Sequence, residues 1–316
     1  MIRGATPETT MSPPSPLVYT IVLNWNGSND TVRCVDSLLR VSYPNHKILI
    51  VDNGSVDGSV IAFKDRFPQV ECLENGGNLG YAGGNNEGIE RAVSAGADYV
   101  ILLNNDTVVD SGFVGRLVEA ATASPKAAFW GPTILYLDKP TIVWSAGGRI
   151  EWVREPVHIG KDLEEDTRDT RPRDVDYVTG CCLMARTLAI REIGLMDARF
   201  FLLFEEADWC VRARKAGWRV MYVPQARIWH AVSQSFGGQS SGVYRYYYSR
   251  NQLLFLSKHL QGLTRFKALF YAHYRELRLV IWYSLALRRV DVALASLQGV
   301  ADFWLNRSGP RPALTG

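Results

Sequence analysis

In this 316-residue chain, carboxylates and amides gather where apolar runs break off. Asn104-Asn105-Asp106 ends the run YVILL. A carboxylate in such a turn can reach a divalent cation that also binds phosphate, because Mg²⁺ and Mn²⁺ take one or two protein carboxylates and let substrate phosphates complete the shell. The same three residues also make a good turn with no ligand. Asp52 follows KILIV and opens Asp52-Asn53-Gly54-Ser55. Its carboxylate can accept a hydrogen bond from the imide N–H of a pyrimidine base, or the segment is an Asx turn with Ser55 or Asp57 as a cap. The stretch GGNLGYAGGNN, residues 76–86, allows close backbone approach to a ligand. Its glycine spacing is not the dinucleotide fingerprint, and no Gly-Lys-Ser/Thr follows to make a P-loop. Glu205-Glu206-Ala207-Asp208 sets three carboxylates at a helix start. They either complement the helix dipole or supply a general base in a cleft. His230, after Ile228-Trp229, is a structural histidine or a metal ligand.

Those groups need elements to hold them. Residues 18–23 (VYTIVL) read as a buried strand running into the turn Asn24-Trp25-Asn26-Gly27. A helix over 30–41 follows, with Val32, Val35, Leu38 and Leu39 on one face. The pattern then predicts a strand at 47–51, a helix at 59–66, a strand at 70–73, a Gly/Asn-rich loop at 75–86, a helix at 87–95 and a strand at 99–103. Strict alternation of this kind predicts a parallel, helix-covered sheet. Ligands in open α/β sheets bind outside the carboxyl ends of the strands. Asn24 and Asn26, Asp52 and Asn53, and Asn104 to Asp106 all stand at such ends. The second half is less regular. Strands are expected at 128–137, at 142–150 around Gly147-Gly148, at 178–185, at 219–223 and at 226–229. Residues 161–176 read as an exposed charged loop, 188–193 as a short helix, and 208–216 as a helix stopped by Gly217. From Tyr244 to about residue 305 the pattern is helical.

Taken together, the motifs resemble the family-2 glycosyltransferases, inverting nucleotide-sugar enzymes of GT-A fold. The resemblance spans about residues 18–259 and is carried, in the family's order, by TIVLNWNG, ILIVDNGSVDGS, NGGNLGYAGGNNEG, VILLNNDT, TGCCLMAR, FFLLFEEADWCVRARKAGWRV and ARIWH. Within the family the chain looks most like bacterial rhamnosyltransferases of cell-surface polysaccharide assembly. The resemblance implies a mostly parallel, Rossmann-like sheet flanked by helices, and a role for each matching position. Asn24 and Asn26 would line the nucleotide pocket, Asp52 would hold the base, and Gly80, Gly84 and Asn85 would lie beside the nucleoside. Asn104-Asn105-Asp106 matches the family's Asp-x-Asp metal motif with Asn104 in place of the first carboxylate, so Asp106 must carry most of the charge at a Mn²⁺ or Mg²⁺ ion. His230 would complete the coordination. Glu206 falls where the family has its catalytic base, as the second residue of Glu-Asp, with Asp208 as the second candidate. Arg212 shares a helix face with Asp208 and would pair with it or reach the pyrophosphate.

Composition bounds the rest. The chain is 47% hydrophobic and 21% charged, enough apolar material for one large domain with an appendage. Thirty-five Lys and Arg against 32 Asp and Glu give +3, without the strong basic excess of a nucleic-acid binder. Five cysteines with no CxxC pair read as reduced, mostly buried thiols and point to the cytoplasm, with the inner face of the plasma membrane as the finer expectation. A nucleotidyltransferase would want a glycine-rich loop with Lys or Arg at the first strand, and residues 24–28 have none. The expected division is a disordered leader at 1–16 with no apolar signal-peptide core, a glycosyltransferase domain at 17–243 and a helical extension at 244–316. In the extension, YRYYYSRNQLLFLSKHL and FKALFYAHYRELRLVIWYSLALRR interleave aromatic, aliphatic and basic residues. That composition suits an interfacial amphipathic helix, a helix packed on the core, or a dimer interface. The expected partners are a nucleoside-diphosphate sugar donor, carrying rhamnose or another deoxyhexose, and a saccharide or lipid-linked acceptor. Other sugars, or a nucleotide-sugar-binding module without turnover, are the alternatives.

Overall fold

Strand and helix alternate through the first half of the chain, as the apolar pattern predicts. The computed structural model describes residues 15–152, 156–232 and 241–311, so most of the expected leader lies outside the described residues. The elements are β1 (Val18–Asn24), α1 (Ser28–Leu38), β2 (His46–Asp52), α2 (Ser59–Arg66), β3 (Glu71–Glu74), α3 (Gly80–Ser94) and β4 (Tyr99–Asn104). Strand β1 pairs in parallel with β2 on one side and β4 on the other, and β2 pairs with β3. The register sets Asn24 opposite Asp52 and Leu23 opposite Asn104, so the polar ends of three strands align on one sheet edge. Strand β1 is mostly apolar because both its faces are covered. Tyr19 and Ile21 enter the core on one side of the sheet, while Val18 and Val22 enter the core on the other.

The second half adds β5 (Thr107–Val109), α4 (Phe113–Ala123), β6 (Ala127–Tyr136), β7 (Val143–Ser145), β8 (Gly148–Ile150), β9 (Pro156–His158), β10 (Arg173–Asp174), β11 (Cys182–Arg186), α5 (Thr187–Ile193), α6 (Glu205–Lys215) and β12 (Arg219–His230). The main sheet runs β10-β12-β6-β11-β4-β1-β2-β3, with β5 on β12 and β7 on β6. Strand β11 lies antiparallel between β4 and β6. The sheet is therefore parallel on the β1 side and mixed beyond β4.

Several boundaries differ from the sequence pattern, each for a physical reason. Helix α3 starts at Gly80, inside the expected loop. Glycine costs a helix about 1 kcal/mol against alanine, but here it allows close packing. A Cβ on Gly84 would stand 2.7 Å from Leu23 Cδ1, and one on Gly88 would stand 2.8 Å from Ile21 Cγ2. The two expected strands at 219–223 and 226–229 are one strand, with a register shift between Val223 and Arg227 where Pro224 has no N–H to give. Helix α4 was not expected, although Phe113, Leu117 and Ala121 recur at helical spacing and are fully buried. Residues 173–174 form the edge strand β10 within the expected loop.

The helical extension consists of α7 (Gly242–His259), α8 (Gly262–Ile281), a π-helical turn (Trp282–Ala286) and α9 (Val290–Trp304). The side chain of Ser241 caps α7 by accepting the Tyr244 N–H at 3.1 Å. Helix α7 is buried along most of its length, and Tyr248, Leu253, Phe255 and Leu256 join the main core. Helix α9 crosses α7 at Gly299, where a Cβ would meet Tyr246 O at 2.3 Å. Among the described residues, no helix is long and apolar enough to cross a membrane.

Candidate active site

The loops after β1 and β2 are joined by their own polar side chains. Asn24 Nδ2 donates to Asp52 Oδ1 and to Ser55 Oγ, each at 2.9 Å, and Asn24 Oδ1 accepts from Thr31 Oγ1 at 2.7 Å. Asp52 Oδ2 accepts the Ser55 N–H at 2.9 Å. Asn24 and Asp52 are buried, and both Asp52 oxygens already have a donor. Asn26 holds a left-handed φ of 51° and accepts the Val56 N–H at 2.8 Å. These three residues thus build the floor of the strand-end edge. Ser55, at the centre of the cluster, was read only as a cap.

The glycine-rich segment forms the next wall. Gly80 has φ +75° and sits tightly on the Phe201 backbone, while its carbonyl accepts from Asn53 Nδ2 at 3.1 Å. Asn85 is buried and donates to Tyr81 O at 2.9 Å. Gly80, through Asn53, and Gly84, pressed on Leu23, fasten α3 to the β1–β2 edge, while the Asn85 bond stays within α3. Asn105 donates to Thr31 Oγ1 at 3.0 Å and so ties the turn after β4 to α1. Asn104 donates its N–H to Cys181 O at 2.9 Å, and its carbonyl accepts from Thr107 Oγ1 at 2.7 Å.

Antiparallel pairing of β5 with β12 brings the last residue of β12 to the turn after β4. His230 Nε2 lies 3.1 Å from Asp106 Oδ1, with both side chains buried. Trp144 meets the imidazole edge-on at a centroid distance of 4.7 Å. His230 Nδ1 is buried without a hydrogen-bond partner. Adjacent ligands on an octahedral ion with bonds of about 2.1 Å lie about 3 Å apart, so the observed pair fits two neighbouring positions of such a shell. No group of three or more His, Cys, Asp or Glu suited to a metal occurs among the described residues. A cation here would complete its shell from phosphate and water, the usual habit of Mg²⁺. Burial pushes the nearby thiols up, Cys34 to about 12 and Cys181 well above the usual thiol range.

Glu206 lies in the first turn of α6, behind an unusual loop. Phe201, Leu203 and Phe204 all have positive φ, at 62°, 71° and 74°. For bulky residues this is a strained conformation that must be imposed from outside. Helix α7 imposes it. Asn251 Nδ2 donates to Phe200 O at 2.7 Å, Leu202 O at 2.6 Å and Leu203 O at 3.0 Å. Arg250 Nη2 donates to Phe200 O at 3.0 Å, and the Tyr81 N–H donates to Phe201 O at 2.6 Å. The loop turns Glu205 and Glu206 into the interior. Each has a buried Oε2 without a partner. Burial pushes Glu206 above the usual carboxylate range, although the Gly180 and Ala207 N–H groups favour its charged form. Burial, and then the neighbouring Glu206 charge, push Glu205 well above that range. A glutamate raised in this way is better matched to proton abstraction near neutral pH. The segment before β11 links this site to the turn after β4: the Gly180 N–H faces Glu206, Gly180 O accepts from Tyr81 Oη at 2.5 Å, and Cys181 O accepts from Asn104.

Asp208 and Arg212 have other engagements. Asp208 is fully buried; its Oδ1 lies 2.7 Å from Lys258 Nζ and 2.8 Å from His259 Nε2, and its Oδ2 accepts from Arg212 Nε at 2.9 Å. Burial alone would raise its carboxyl, but the His259 hydrogen bond and the Arg212 and Lys258 charges outweigh it and hold the group below the usual range. Arg212 also donates to Ile193 O at 2.5 Å and Leu195 O at 2.7 Å, so every guanidinium nitrogen is engaged within the protein. The two residues brace α6 between α5 and α7, and their pairing is one of the two roles expected for Arg212. Asn251 was missed because nothing local marks an asparagine inside a helix as a loop anchor.

Comparison with known proteins gives concordant results. Residues 13–249 match the family described as "Glycosyltransferase like family 2". The N-acetylglucosaminyl-diphospho-decaprenol L-rhamnosyltransferase of Mycobacterium tuberculosis is 33% identical over 210 residues, covering 60% of this chain and 68% of that protein. The dTDP-rhamnosyl transferase RfbF of Shigella flexneri is 24% identical over 253 residues, covering 76% and 80%. Among solved structures, GalNAc-T7 with UDP, GalNAc and Mn²⁺ superposes with a TM-score of 0.62 at 16% identity, covering 76% of this chain and 48% of that one. That last likeness is one of fold.

Proposed function

The chain belongs to glycosyltransferase family 2 and is a glycosyltransferase; from that premise we propose that it transfers a deoxyhexose of the rhamnose type, with inversion, from a nucleoside diphosphate to a saccharide or lipid-linked saccharide. Two relatives whose names specify rhamnosyl transfer support the sugar, and the decaprenol-linked acceptor of one supports the acceptor class. The observation that carries the reading is the contrast between two acidic groups in one α/β domain. Asp106 is held against an imidazole, whereas Glu206 keeps one buried oxygen without a partner.

In this reading Asp106 and His230 hold a divalent cation, with Asn104 supplying a neutral amide where the family has a carboxylate. Bound there, the cation supplies Lewis-acid neutralisation of a departing diphosphate. Glu206 takes the proton of the attacking acceptor hydroxyl, which general-base catalysis speeds by about 10²–10⁴-fold. Its raised affinity for protons makes it a better acceptor of that proton than an ordinary glutamate. The acceptor attacks from the face opposite the leaving group, so one displacement inverts the anomeric centre. No covalent sugar–enzyme bond forms, and the buried protonated cysteines take no part. The floor residues Asn24, Asn26, Asp52 and Asn105, with Gly80, Gly84 and Asn85, shape the edge against which the nucleotide packs.

A nucleotide-sugar panel tests the proposal. In the presence of Mn²⁺, calorimetry should find tightest binding for a deoxyhexose donor, with the β- or α-configured product opposite to the donor's. Preferential binding and transfer of a hexose or N-acetylhexosamine would overturn the sugar assignment. Binding without any turnover would overturn the catalytic one.

A further inference from the structure

Helix α8 buries Ala268, Ala272 and Glu276 against its neighbours, and among the described residues nothing covers its opposite face. On that face Leu263, Phe266, Phe270, Tyr274, Leu277 and Ile281 recur at spacings of three and four, each between 49% and 68% exposed. Such spacing forms one continuous stripe about five turns long. Helix α9 repeats the device with Val290, Leu294, Leu297 and Trp304, exposed by 47% to 63%. The two rows meet where Trp304 Nε1 donates to His273 Nε2 at 3.0 Å. Soluble proteins rarely leave so much contiguous apolar side chain in water unless it is a contact surface.

Charge identifies the contact. Residues 262–311 contain eight Lys or Arg against three Asp or Glu, a balance of +5, whereas the whole chain has +3. The acidic groups offset only two of the basic ones, and the third acid is turned inward. Glu276 is buried and paired with Arg245, Asp302 is buried and paired with Arg307, and Asp291 is paired with Arg289. Lys267 and Arg278 are exposed and lie one residue from Phe266 and Leu277. A symmetric contact between two copies would bring these cations together, whereas an anionic lipid surface attracts them. We propose that the α8–α9 face is a monotopic docking surface for an anionic bilayer, its apolar rows entering the headgroup–acyl boundary and its basic side chains meeting lipid phosphates. Each basic side chain close to such a surface is worth about fivefold in partitioning.

Co-sedimentation of the full-length protein with vesicles provides the test. The protein should bind vesicles of phosphatidylcholine with 30% phosphatidylglycerol at least tenfold more tightly than vesicles of phosphatidylcholine alone. Phe270→Ser with Leu277→Ser should lower binding to the anionic vesicles at least tenfold, as should Lys267→Glu with Arg278→Glu. Circular dichroism and donor binding should be unchanged in both variants, because all four positions are exposed. No binding to anionic vesicles, or binding that survives both double substitutions, would overturn the proposal. So would self-association that Phe270→Ser with Leu277→Ser abolishes in a protein that ignores vesicles. None of these outcomes depends on which sugar is transferred.

Discussion

Asn251→Ala is the substitution that best separates a held loop from a merely buried one. Its amide donates to three carbonyls of the segment before α6. Phe200 O would keep a donor, Arg250 Nη2, whereas Leu202 O and Leu203 O would lose theirs. A buried group left unpaired costs about 1–3 kcal/mol, so the rigid cost is about 2–6 kcal/mol. Against it stands the strain at Phe201, Leu203 and Phe204, each at about 1–2 kcal/mol for a left-handed bulky residue, or about 3–6 kcal/mol together. The two quantities are comparable, so the loop should relax once its anchor is gone, and relaxation should return much of the stability. Urea unfolding is therefore expected to show a loss of only about 1–3 kcal/mol. Catalysis should suffer far more, because Glu205 and Glu206 follow the loop directly. A turnover loss of at least 100-fold is expected, with donor KM within about threefold, since the proposed donor contacts lie at other strand ends. Asn251→Asp keeps the shape and removes both donor hydrogens, so it should be no better than alanine. Turnover within threefold of wild type in either variant would refute the reasoning. So would a loss confined to KM.

Glu206→Gln should remove transfer by 10²–10⁴-fold and leave donor affinity near wild type, measured by calorimetry beside an initial-rate assay. In the wild-type enzyme, activity should rise with pH through a midpoint above the ordinary glutamate range, because the base works deprotonated and burial raises its pKa. Asp106→Asn should abolish the Mn²⁺-dependent part of nucleotide binding; equal affinity with and without Mn²⁺ in wild type would count against that role. Asp208→Asn should lower stability by about 3 kcal/mol, since it leaves Arg212 beside a neutral group while Lys258 keeps its pairing with Asp197. The Asp208 carboxyl binds protons less tightly folded than unfolded, so its contribution is present above the ordinary aspartate pKa and is lost as pH falls through the lower folded value.

Much of the sheet could be read from the chain because β1, β4 and the second half of β2 are buried on both faces and so appear as short, largely apolar runs. Their polar ends were equally plain. What those ends do was not. Asn24 and Asp52 have the residue types of ligand binders, yet their side chains mainly bind each other and Ser55. Glu206 and Asp208 stand two residues apart on one helix, and local sequence cannot rank them. Lys258 and His259, far along the chain, decide that Asp208 is an ion-pair anchor. Helix α3 was hidden by its own glycines, whose low propensity for helix is overridden by how closely they bring it to β1. Asn251 was invisible for a related reason: its partners lie 48 to 51 residues away.

The grip of α7 on the loop before α6 redraws the boundary of the working unit. The stretch recognised as belonging to the family stops at residue 249, and Arg250 and Asn251 come immediately afterwards. Anyone trimming the gene to the recognised stretch would keep every residue assigned to chemistry and discard the two that aim Glu206. Such a shortened protein would still own a sheet, its polar strand ends and an acid at position 106, yet lack the grip that shapes the loop before Glu205.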